Sequence, residues 1–100
     1  MIVHNTLSLL ITYFSTGLMK ESLVDFVESA LSGSKFETPP VDVGYYRAQL
    51  DLHVSNFRDG EKTMAPRVIY TTVQILARHG EKKLSREYAR LFEEHIRPKI

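Results

Sequence analysis

Apolar residues recur along most of this chain three and four positions apart, with polar residues between them, the period of a helix buried on one face. Over residues 5–16, Leu7, Leu10, Ile11 and Phe14 share one helical face, with Asn5 or Thr6 as cap. The strand formers from Ile11 to Phe14 leave a strand open there. Residues 20–32 carry the clearest pattern: Leu23, Phe26, Val27, Ala30 and Leu31 line one side, Glu21, Asp25, Glu28 and Ser32 the other, and Gly33 closes the helix. The stretch 33–42, with Pro39 and Pro40 together, reads as a loop.

Residues 43–58 satisfy two periods at once. Taken in twos, Tyr46, Ala48, Leu50, Leu52 and Val54 alternate with Arg47, Gln49, Asp51, His53 and Ser55, as in a half-buried strand. Taken at 3.6, Val43, Tyr46, Leu50, Val54 and Phe57 form a helical stripe that leaves Leu52 outside. Asp42 suits an N-cap and Asp59-Gly60 a helix end, so the flanks lean to helix. Residues 64–79 predict a helix capped by Thr63, with Pro66 in its first turn, Ala65, Val68, Ile69, Val73 and Leu76 inward, and Arg78 and His79 against its C-terminal dipole. Residues 85–97 predict the last helix, capped by Ser85, with Leu84, Tyr88, Leu91, Phe92 and His95 inward and Glu93 and Arg97 paired at i, i+4. The expected fold is all-α: a compact bundle of about five short helices in one domain over residues 1–100. If 45–55 pairs as a strand, it becomes α+β.

Composition narrows the function more than it defines it. With 43% hydrophobic and 25% charged residues in 100, the chain is neither a disordered tail nor a low-complexity linker. The absence of cysteine excludes disulfide scaffolds, thiolate metal sites and thiol nucleophiles. The opening stretch is apolar, but the first basic residue is Lys20 and Ser8, Thr12, Ser15, Thr16 and Gly17 interrupt it. Neither a secretory signal nor a membrane span is expected, and the cytoplasm is the expected location.

Candidate chemistry is sparse. The glycines at 17, 33, 44, 60 and 80 never cluster, so there is no phosphate-cradling loop. Ser32-Gly33-Ser34-Lys35 matches an SxxK pattern without its companion motifs and reads as a polar turn. His79 and Glu81, with His95, imitate a two-histidine, one-carboxylate metal set, but four histidines make one such match unremarkable, and no metal or other cofactor is expected. The best catalytic grouping is Arg47, Asp51 and His53, with Tyr45 nearby. On a strand the three would project from one face as cation, orienting carboxylate and base; on a helix they diverge.

Two surface features stand out. Residues 2–19 contain no Asp, Glu, Lys or Arg, and a helix without a charged face is usually covered all round. Ile2, Leu9 and Tyr13 are therefore the expected contact with a partner protein or a second copy. Charge is also uneven: residues 1–50 carry three basic and five acidic groups, residues 51–100 ten and seven. Lys82, Lys83, Arg86 and Arg90 gather at the start of the last helix, where a helix–turn–helix layout could present them to nucleic acid, although Glu81, Glu87, Glu93 and Glu94 dilute the patch. The leading expectation is a non-enzymatic protein-binding or regulatory protein (inhibitor, immunity-type or adaptor) that self-associates as a homodimer. A nucleic-acid-binding regulator and a small α+β enzyme around Arg47, Asp51 and His53 are the alternatives.

Overall fold

A computed structural model describes residues 19–33 and 41–100. Within them lie four α-helices: α1 (Leu23–Leu31), α2 (Val43–Arg58), α3 (Met64–Arg78) and α4 (Lys82–Leu91). The fold is all-α, and residues 45–55, open to both periods in sequence, lie wholly inside α2. Asp42 settles this end locally, because its side chain accepts from the Tyr45 backbone N–H at 3.0 Å as the predicted N-cap. The helix expected over 5–16 lies outside the described residues.

The joints on either side of α3 share one device. Gly60 and Gly80 have φ of 113° and 79°, the left-handed region open to glycine at little cost. The Gly60 and Glu61 N–H groups return to Phe57 and Asn56 carbonyls, and those of Gly80 and Glu81 to Ala77 and Leu76, closing two Schellman turns. The glutamate after each glycine then caps the following helix. Glu61 accepts from the N–H groups of Thr63, Met64 and Ala65 at 2.6–3.1 Å, and Glu81 from that of Leu84 at 2.7 Å. Two expected caps are corrected by this. Thr63 makes no side-chain cap bond and donates its hydroxyl to Glu61 instead. Ser85 lies buried within α4 and hydrogen-bonds the Glu81 carbonyl, so α4 begins three residues earlier than expected.

Helix α3 is the centre of the bundle and packs against each of the other three. Its residues Ile69, Val73 and Leu76 are fully buried, together with Leu23 and Val27 of α1, Leu50 and Phe57 of α2, and Leu84 and Tyr88 of α4. Tyr70, absent from the expected face, is also buried and meets the Phe92 ring edge-on at 5.4 Å. No buried side-chain nitrogen or oxygen among the described residues lacks a hydrogen-bond partner.

Beyond Leu91 the helix widens into a π turn over Phe92–Ile96, where the Arg97 N–H donates to the Phe92 carbonyl, and ends in a 3₁₀ turn over Arg97–Lys99. A π turn needs more residues to come round, so the next core position falls one residue late. Ile96 is buried in place of His95, which is exposed. The expected Glu93–Arg97 pair forms at 2.6 Å. It also clamps the start of α1: Glu93 accepts from the Leu23 N–H at 2.8 Å, while Arg97 and the Tyr70 hydroxyl both donate to the Glu21 carbonyl at 2.9 Å.

Candidate functional site

Helix α2 separates the residues of the catalytic grouping. Arg47 and Asp51, four apart, share the side facing α4, whereas His53 lies about 200° round the helix from Asp51. Each of the first two is engaged across the interface. Arg47 pairs with Glu87 through two hydrogen bonds at 3.2 and 3.3 Å, and its guanidinium lies 5.9 Å from the centre of the Tyr88 ring. The Tyr88 hydroxyl donates to Asp51. His53 has its own surroundings: burial pushes its imidazole below the ordinary value, with Glu61 acting in the opposite sense. Arg47, Asp51 and His53 therefore do not converge, and Tyr45 packs edge-on against Tyr46.

The basic face of α4 is also partly engaged. Arg86 reaches α1 and holds Glu28 through two bonds at 2.8 and 3.0 Å, which keeps the Glu28 carboxyl below the usual carboxylate range. Lys82, Lys83 and Arg90 are exposed, with no ion pair among the described residues. Arg90 and Arg86 overhang a shallow groove floored by Val24, Val27 and Ala89.

No three metal-ligating side chains come together among the described residues. Glu81 is engaged as the α4 cap, and His95 stands 4.0 Å from Glu94. Ser32 donates its hydroxyl to the Ser29 carbonyl, as the polar end of a helix, while Ser34 and Lys35 lie outside the described residues. Ile2, Leu9 and Tyr13 lie outside them too. No helix among the described residues is long and apolar enough to cross a membrane.

A recess lies where the end of α2 faces the π turn. Its floor is apolar, made by Val54 and Phe57 of α2 with Leu91 and Ile96, and its rim is basic, made by Arg58, Lys62, His95 and Lys99. Its volume is about 180 Å³. No carboxylate among the described residues lines it; Glu94 stands 4.0 Å from His95, and Asp59 and Glu61 flank Arg58 and Lys62 in the chain. Lys62 places its ammonium 3.9 Å from the centre of the Phe57 ring, a cation–π contact that partly covers the floor. Arg58 occupies the last turn of α2, where a cation offsets the helix dipole. That explains one cation but not four basic side chains around one opening.

Sequence reading missed this site because its two halves come from segments far apart in the chain, one ending at Lys62 and the other beginning at Leu91. Comparisons with protein-family models, with curated proteins and with solved structures find no match to this chain.

Proposed function

We propose that this chain is a small, non-enzymatic, cytoplasmic protein that works by binding another protein, in an inhibitor, immunity-type or adaptor role, and that also self-associates. The observation that carries the reading is the division of labour among its polar side chains. Arg47, Asp51, Glu87 and Tyr88 brace α2 to α4, and Arg86 with Glu28 braces α1 to α4. Among the described residues Arg58 and Lys99 form no such brace and stand instead around a recess with an apolar floor. Basic groups ringing a recess with an apolar floor suit partner recognition better than proton transfer, which needs a base within hydrogen-bond reach of its target.

The test is a photo-reactive amino acid in place of Lys62, expressed in the native host. A protein adduct that disappears when Arg58→Glu and Lys99→Glu are introduced supports the reading. The second reading, nucleic-acid binding, is favoured by exposed Lys82, Lys83 and Arg90 on one helix. It gains if retention on DNA falls steeply with salt and reversal of those three charges flattens that dependence.

A further inference from the structure

Resting on that reading, we propose that the recess between the end of α2 and the π turn receives an acidic segment of the partner protein, anchored by one large apolar side chain. Size decides between a peptide anchor and a small-molecule pocket. Pockets for drug-sized ligands run to roughly 300–1,000 Å³, whereas an apolar cavity of about 150 Å³ holds a single benzene ring. At about 180 Å³ the recess fits one side chain.

Charge decides what flanks that side chain. Arg58, Lys62, His95 and Lys99 surround the opening with no lining carboxylate among the described residues, so acidic neighbours of the anchor meet cations on several sides. The floor is already in place, because Phe57 and Ile96 are held in the core at 3% and 1% exposure. The π turn is what sets it there, by turning Ile96 inward while leaving His95 on the rim. Lys62 covers the Phe57 ring and is the side chain that must swing towards the incoming carboxylates.

The experiment titrates the full-length ¹⁵N-labelled chain with a blocked heptapeptide of six acidic residues around a central phenylalanine. Saturable shifts at Phe57, Lys62 and Ile96 are expected. Affinity should weaken at least about tenfold when the peptide phenylalanine becomes alanine, since burying such a side chain is worth a tenfold step or more. A comparable loss is expected with the exposed-site variant Arg58→Glu, Lys99→Glu, whose circular dichroism should match wild type. Shifts gathered on Lys82, Lys83 and Arg90, affinity indifferent to the anchor, or no saturation by ~1 mM would each overturn the proposal. So would an oligonucleotide that binds the recess more tightly than the peptide. If the peptide fails while the charge-dependent protein adduct at position 62 still forms, protein binding stands and the recess does not take an acidic segment anchored by an apolar side chain.

Discussion

Tyr88 shows how much one side chain does at the interface of α2 and α4. Its ring is buried, its hydroxyl donates to Asp51, and Arg47 lies over its face. Burial first, then the hydrogen bond to Asp51, pushes its hydroxyl up to about 12. Tyr70, buried against Phe92, is likewise pushed up to about 12, chiefly by burial. A free tyrosine ionises near 10, so above that pH the unfolded chain loses protons that the folded chain keeps. The stability contributed by both tyrosines is thus complete below about pH 10 and is lost as pH rises through about 12. Urea melts at pH 8 and pH 11 should show wild type losing stability at the higher pH, and Tyr88→Phe losing less. At pH 8 the same substitution should cost about 1 kcal/mol, the worth of one hydrogen bond whose acceptor keeps access to water.

At the scale of the element, each Gly-Glu pair both stops one helix and starts the next. Glu61 carries the start of α3: the Ala65 N–H, then the Thr63 hydroxyl, hold its carboxyl below the usual carboxylate range. Glu61→Ala should therefore lower the Tm by several degrees, whereas Thr63→Ala, at the predicted cap, should change it far less. The Glu61 contribution is present above the ordinary carboxylate range and disappears as pH falls through the depressed value, so the two variants should converge in acid. Thermal melts at pH 7 and at a series of decreasing pH values check both statements. This contrast also locates the limit of the sequence. Helix α2 was legible because Asp42, the apolar stripe and Gly60 agreed with one another. The caps were misread because serine and threonine are the commoner N-caps, while here a longer glutamate reaches forward from the turn behind it. His95 and Ile96 exchanged places because the π turn changes the period, which an ideal 3.6-residue stripe does not register. The basic recess was invisible for a different reason: pattern within a segment says nothing about which segments meet.

For the whole molecule, the uneven placement of charge leads to the question of association. Every described helix carries exposed charged residues, such as Asp25 on α1, Arg58 on α2, Arg78 on α3 or Lys82 and Lys83 on α4. Residues 2–19 have none, and they include Ile2, Leu9 and Tyr13. Covering apolar surface is worth about 25 cal/mol per Å², so two such side chains, if left in water, would forfeit a few kcal/mol that contact with a second copy would recover. One patch meeting itself across a two-fold axis is the simplest closed arrangement, and two-fold dimers are the commonest oligomers. Light scattering should accordingly give the wild-type chain a dimer mass. The variant Leu9→Lys, Tyr13→Glu should keep its helical circular dichroism and fall to monomer mass, while the variant Arg58→Glu, Lys99→Glu should remain dimeric, because its changes lie outside the charge-free stretch. A wild-type monomer, paired with a variant that unfolds, would assign Leu9 and Tyr13 to the core of a single chain.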